Sequence, residues 1–367
     1  MSDRKFTLIT LVDPSATDEH YLRHIWRMYS GFNRRFQVVD IRKYRASENT
    51  AEVTILDRIA MFAALSYDGL SYRRLLEQLA GTKNLVFMTS DLHYWSIFPD
   101  LIDQKVLAPR RLKPPRFLEK LLEKTSVYTP HQLAPGDNRY DRLFEMFDQL
   151  DIRNLIACYD CPELRDISSQ RSTLQTHLVE LHIDPAIFRE YGLQKDYDLI
   201  IYGSTIRSSY PFRHRVCQLV TRSGRFNVLH LKVEDALYDA EICGEGLARK
   251  INQSWLGLTT TSNFDYFVTK YLEIPACGSV VLGNMNEQGR AVFGDNYIHI
   301  DDSMTDDQIL NVITEALADR PRLQRYVDHM YGIIHTNYTP AENERRLFEV
   351  AESIAEQNDK ALQKTVA

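Results

Sequence analysis

The chain has 367 residues, 44% hydrophobic and 26% charged, a length that exceeds one ordinary core and suits two lobes of roughly 150–200 residues each. With 13 prolines, 15 glycines and five scattered cysteines (Cys158, Cys161, Cys217, Cys243 and Cys277), it is not a disordered, collagen-like or disulfide-framed protein, and the odd cysteine count suits a reducing compartment. The net charge of −6 is uneven: residues 1–125 carry 20 Lys and Arg against 15 Asp and Glu, a net of +5, leaving −11 on the remainder.

Strand-like runs at 6–12, 36–40, 84–88 and 154–157 alternate with helical patterns at 21–29, 56–65, 72–79, 117–123 and 140–150. That alternation predicts an α/β protein whose first lobe is a doubly wound parallel sheet with crossover helices. The run 6–12 is too short and wrongly flanked for a signal peptide or a membrane span, so a cytoplasmic location is expected. Behind the run 84–88 stands Thr89-Ser90-Asp91-Leu92-His93-Tyr94-Trp95, placing titratable groups at a strand's carboxyl end, where open parallel sheets hold ligands. Asp91 and His93 are therefore candidates to hold or deprotonate an acceptor hydroxyl, and Asp13 and His20, after the first strand, compete with them. A structural histidine and a packed Tyr94–Trp95 pair are the plain alternatives. Arg110, Arg111 and Lys113 head the densest basic run, which reads either as a solvated loop or as a seat for a polyanionic acceptor such as nucleic acid or a phosphorylated glycan. Cys158-Tyr-Asp-Cys161 has no second ligand pair at zinc spacing, so no metal is expected and the pair reads as a buried strand end.

Pro185 and a polar stretch interrupt the pattern, after which runs at 197–203, 227–231, 255–258, 279–282 and 297–300 announce a second lobe of the same type. The expected domains are 1–181, 182–340 and a C-terminal helix at 341–367, with the ligand in a cleft between the facing lobes. Neither lobe opens with Gly-x-Gly-x-x-Gly, since Val12-Asp13-Pro14 and Gly203-Ser204-Thr205 stand there, which argues against a dinucleotide oxidoreductase.

The richest stretch runs from Thr259 through Ser262, Asn263 and Asp265 to Lys270, Glu273 and Gly278, then into the apolar run 279–282. On a helix, Lys270 and Glu273 are three apart and share a face. A carboxylate there can accept from the two ribose hydroxyls and an ammonium can neutralise a diphosphate, with free N–H groups at the helix start to meet phosphate. Lys–Glu pairs at this spacing also decorate solvent-exposed helices, so spacing alone leaves both readings open.

Lys270-x-x-Glu273-x-x-x-x-Gly278 resembles the Arg/Lys-x-x-Glu-x-x-Ala-x-Gly signature of the GT-B glycosyltransferases, in the group 1 branch that includes CgeB-like enzymes. His182-Ile-Asp184, Tyr197-Asp198 to Gly203-Ser204, Tyr210-Pro-Phe-Arg213, Phe293-Gly-Asp-Asn-Tyr297 and Tyr331-x-x-x-His335-Thr336 resemble further elements of that family in the same order, over about residues 182–345. The resemblance implies two facing Rossmann-like lobes and transfer of a sugar from a nucleotide diphosphate, UDP above all, to an acceptor hydroxyl, the sugar nucleotide being a co-substrate with no further cofactor. It implies Glu273 on the ribose, Lys270 with Arg207 or Arg213 on the diphosphate, Gly203 and Gly278 at close backbone approaches, and Ser262, Asn263 and Asp265 lining the donor. The family's Glu-x7-Glu stands here as Asp265-x7-Glu273, with the first acid shortened. A binding or regulatory protein of the same fold without catalysis is the alternative.

Overall fold

The computed structural model describes residues 4–12, 28–58, 60–61, 72–90, 92, 140–207, 209–231 and 240–366. The first sheet contains β1 (Phe6–Thr10), β2 (Gln37–Asp40), β3 (Val53–Asp57), β4 (Leu85–Thr89), β5 (Asn154–Ala157) and β6 (Gln175–Leu178). They lie in the order β2-β1-β3-β4-β5-β6, every neighbouring pair parallel. The inner strands β1, β3 and β4 are buried at every residue, as near-continuous apolar runs covered on both faces must be. One face packs against α1 (Tyr72–Leu79), α2 (Asp141–Gln149) and α3 (Pro162–Gln170) through Leu75, Leu143, Phe147 and Ile167.

Two strands differ from the sequence reading. The stretch read as a helix at 56–65 opens inside β3, because Val53, Thr54 and Ile55 are β-branched and favour the pleated backbone over a helix. The edge strand β6 was not anticipated: Gln175, Thr176 and His177 are polar and only partly covered, so no apolar run marks it.

The second sheet contains β7 (Tyr197–Ile201), β8 (Val228–His230), β9 (Ser254–Leu258), β10 (Val280–Gly283) and β11 (Ile298–His299), in the order β11-β10-β9-β7-β8 and again all parallel. Around it run α4 (Pro211–Ser223), α5 (Gly244–Asn252), α6 (Lys270–Ala276), α7 (Glu287–Phe293), α8 (Asp306–Ala318) and α9 (Arg320–Asn337). Its two faces form separate apolar clusters, one with α5, α6 and α9 and the other with α4, α8 and the start of α9.

The last helix, α10 (Pro340–Val366), returns to the open face of the first sheet. Leu347, Ala351, Ile354 and Ala355 bury against Phe6, Leu8, Val53 and Ile55. Near its start the buried Glu344 accepts from the backbone N–H groups of Arg34 (3.0 Å) and Arg35 (2.9 Å), which anchors the helix to the first lobe. Among the described residues no helix is long and apolar enough to cross a membrane.

Candidate active site

In both sheets the chain winds outward one way from its first strand and then the other, so a crevice opens at the carboxyl ends of β1 and β3 and of β7 and β9. Such switch points are where open α/β sheets hold ligands. At the second, Tyr202, Gly203 and Ser204 leave β7, Thr259 and Thr260 leave β9, and α6 begins beside them.

Gly203 has a φ of +74°, and a Cβ placed there would lie 2.3 Å from Cε and 2.5 Å from Nζ of Lys270. The lysine ammonium thus lies against bare backbone, which any other residue would obstruct. Lys270 is only partly exposed, with its Nζ 5.5 Å from the centre of the Tyr202 ring. Burial first, then the like charge of Arg213, lowers its pKa to about 8 against the opposing pull of Glu273.

Glu273, also partly exposed, accepts a 2.9 Å hydrogen bond on Oε2 from the Tyr202 hydroxyl. Burial and the neighbouring carboxylate hold that phenol well above its usual range, so it stays a donor and fixes the carboxylate's orientation. Tyr202 was not singled out in the sequence; its signal was its place directly before Gly203 at the end of an apolar run.

Arg213 reaches the crevice from beneath. It has no exposed surface, and its Nη1 donates to the Ser204 carbonyl (3.0 Å) while Nη2 donates to the Thr260 carbonyl (2.7 Å) and Thr259 Oγ1 (3.4 Å). With the guanidinium 4.0 Å over the Tyr210 ring, this one side chain clips together the two loops that flank the switch point. Arg207 is exposed on the loop after β7.

The polar stretch before Lys270 lies outside the helix, which begins only at that residue. Residues 261–269 form a loop, and α6 spans only seven residues, with Pro275 near its end lacking the N–H a longer helix needs. In that loop Ser262 Oγ accepts from the Phe264 N–H (3.2 Å), and the Asn263 N–H donates to the Ser209 carbonyl (2.9 Å), tying it to the loop after β7. Asp265 sits at φ +57°, a left-handed conformation uncommon outside glycine. Burial raises its carboxyl above the usual range against the pull of Arg165 and Arg290.

Gly278 requires a correction. Its φ of +74° makes the turn into the amino end of β10, where its carbonyl accepts from Lys195 Nζ (2.5 Å) and a Cβ would lie 2.6 Å from Glu190 Oε1. The length of α6, seven residues at about 1.5 Å each, separates it from Lys270, so it shapes the opposite edge of the sheet and not the crevice.

Asp13, His20, Asp91, His93, Arg110, Arg111 and Lys113 lie outside the described residues. The carboxyl edge of the first sheet shows instead a buried polar group that sequence reasoning missed: Asp57 Oδ2 accepts from Thr10 Oγ1 (2.9 Å), and Arg58 Nη1 donates to Ser90 Oγ (3.4 Å). Beside it, burial works against the Asp40 carboxylate, but Arg42 and the Val12 N–H still hold it below its ordinary pKa. Cys158 and Cys161 are buried and form no disulfide, and burial pushes the Cys161 thiol up to about 12. Among the described residues no group of three or more His, Cys, Asp or Glu is placed to hold a metal ion.

No protein-family model and no curated protein matches the chain. Solved structures do. An alpha-glucosyltransferase in complex with UDP-glucose and DNA containing an abasic site matches 95% of this chain and 99% of its own, at 10% identity and a TM-score of 0.54. Anabaena HepE in complex with UDP-glucose matches over 95% and 99% at 11% identity and a TM-score of 0.51. The GtfA/B complex matches 84% of this chain at 14% identity and a TM-score of 0.46, and the chain spans 59% of that longer relative. On the two matches with TM-scores above 0.5, the two parallel sheets of this chain form the two-lobed Rossmann-like GT-B fold.

Proposed function

We propose that the chain is a glycosyltransferase that takes a sugar from a nucleotide diphosphate, UDP by preference, and passes it to an acceptor hydroxyl. The observation that carries this reading is the convergence of Lys270, Glu273 and the bare backbone of Gly203 at the switch point between β7 and β9. Two neighbours of the fold with TM-scores above 0.5 hold UDP-glucose. In this reading Glu273 accepts from the ribose hydroxyls, and Lys270, with Arg207 at the rim, meets the diphosphate. Arg213 sets the spacing of the loops and adds its charge from below. As the bond between the sugar C1 and the diphosphate oxygen breaks, the acceptor oxygen bonds to C1 and its proton passes to a base in the first lobe. Fixed cations stabilise the charge that grows on the departing diphosphate.

A polyanionic acceptor suits the net +5 of residues 1–125 and the basic Arg42, Lys43 and Arg45 beyond the carboxyl end of β2. DNA bound to one neighbour supports including duplex DNA with hydroxylated bases among the acceptors tested. Transfer of labelled glucose from UDP-glucose to such DNA or to a polysaccharide, with release of UDP, tests the reading. Nucleotide binding without transfer or donor hydrolysis would favour a non-catalytic protein of the same fold.

Tyr202→Phe removes one hydroxyl and leaves the ring. It is expected to weaken UDP binding about 3- to 10-fold, the worth of one hydrogen bond to a charged group shared between orientation and desolvation, as read by calorimetry.

The lysine gives a pH dependence with a definite sign. Its folded-state pKa of about 8 lies below the ordinary 10.5, so above pH 8 the empty site has released the proton that an anionic ligand needs. UDP affinity is expected to be highest below pH 8 and to fall as pH rises toward 10. Lys270→Arg, which stays charged, should flatten the profile even where its overall affinity is lower.

A further inference from the structure

The loop that carries Asp265 is packed by both lobes. Phe264 and Tyr266 are buried in the apolar cluster of the first sheet, whereas the next residue, Phe267, stacks on Tyr271 of α6 at 5.1 Å within the second lobe's cluster. Tyr266 lies face to face with Tyr159, two residues beyond β5, with ring centroids 4.6 Å apart and an interplanar angle of 18°. Asp265 stands between two neighbours buried in the first lobe's cluster, with its backbone left-handed at φ +57°.

A second tether crosses at the same place. Gln288 of α7 accepts on Oε1 from the Asp160 N–H (3.2 Å) and donates Nε2 to Glu180 (2.9 Å), so one amide holds two first-lobe segments. Asn286 caps the same helix by accepting from the Gly289 N–H (2.9 Å), and its Nδ2 donates to the Asp265 carbonyl (2.7 Å). The loop, which ends at Lys270, is therefore held by the ring stack and by this helix start as well as by its bonds to Ser209 and Asn284.

We infer that Tyr159, though a first-lobe residue, is a positioning residue for the second-lobe nucleotide site, acting through Tyr266 and the loop 261–269. The inference rests on the donor-site reading above. The physical ground is that the loop is bonded to its own lobe at Thr261, Asn263 and Asp265 but buries Phe264 and Tyr266 in the first lobe's core, so part of its local stability comes from that core. Removing that surface frees the loop without unfolding β7 or β9.

The test compares wild type with Tyr159→Leu, which keeps apolar volume but removes the stack, and Tyr159→Phe, which keeps the ring. Amide hydrogen exchange across 261–269 and the UDP dissociation constant are measured on each. Tyr159→Leu is expected to speed exchange in that segment about tenfold or more, with β7 and β9 still protected, and to weaken UDP binding about fivefold. Tyr159→Phe, which keeps the stack, should stay closer to wild type than the leucine variant in both. If Tyr159→Leu also exposes β7 and β9, Gln288→Ala, which loosens the same seam from a partly exposed position, carries the comparison. Wild-type exchange in 261–269 in the leucine variant overturns the inference and leaves the donor site standing. Faster exchange with unchanged UDP affinity also overturns it, because the loop would then be ordered by the first lobe without serving the site. A wild-type protein that binds no UDP removes the donor-site reading itself, and the inference with it.

Discussion

Glu273→Ala is expected to weaken UDP binding by roughly 10- to 100-fold. The carboxylate would accept from two ribose hydroxyls, and hydrogen bonds to a charged group contribute about 1.5–3 kcal/mol, which is that range in affinity. The same substitution strands the Tyr202 hydroxyl, which is buried and loses its acceptor, so a cost to folding of about 1 kcal/mol accompanies it. Glu273→Gln separates the two effects. An amide oxygen still accepts from Tyr202, so the glutamine variant should unfold at nearly the wild-type temperature while binding UDP more weakly than wild type and better than the alanine variant. Calorimetric titration of both variants beside their melting curves checks this. Equal UDP affinity in wild type and Glu273→Ala would take the ribose away from Glu273.

Arg213→Met should produce the largest loss of stability. It removes a fully buried guanidinium that satisfies the Ser204 and Thr260 carbonyls, and each buried acceptor left without a donor costs about 1–3 kcal/mol. An expected total of about 2–5 kcal/mol corresponds to a fall in the melting temperature of the second lobe of roughly 5–15 °C. Arg213→Lys should not restore it, because one ammonium cannot span the two loops as the planar fork does. UDP affinity should fall in both variants, since the loops that frame the crevice lose their clip. A methionine variant as stable as wild type would show that the carbonyls find other donors and that the clip is dispensable.

The sequence carried the two-lobed architecture because the inner strands of parallel sheets are buried on both faces and read as apolar runs, as at Leu199-Ile200-Ile201 and Val280-Val281-Leu282. It failed where burial is one-sided or the run continues past the strand. The half-exposed β6 offered no apolar run, and β3 merged with the apolar residues that follow it. At the site, Lys270 and Glu273 were legible because three residues on a helix fix their common face. Tyr202 was not, since it meets Glu273 across 71 positions of chain.

Two assignments show how adjacency in a motif differs from adjacency in space. Gly278 stands five residues from Glu273, but the helix between them carries it to the other edge of the sheet. Arg213 was read as a ligand-facing cation, yet its charge acts from under the crevice and its hydrogen bonds go to two backbone carbonyls and the Thr259 hydroxyl. Nothing in the identity of an arginine announces full burial; the signal is only its place three residues into a helix that starts behind a β-strand loop. In the first lobe, the Thr10–Asp57 pair went unnoticed because Asp57 was assigned to a helix and not to a strand's carboxyl end.

The central claim is that a nucleoside diphosphate seats at Gly203, Lys270 and Glu273, and the most direct measurement is thermal unfolding of the wild-type chain against a panel of nucleoside diphosphates and their sugars. A ligand at 100 times its dissociation constant adds about 2.7 kcal/mol to the folded state. The account predicts a selective rise of roughly 5–10 °C with UDP or a UDP-sugar. An unchanged melting temperature with every nucleotide in the panel would contradict it.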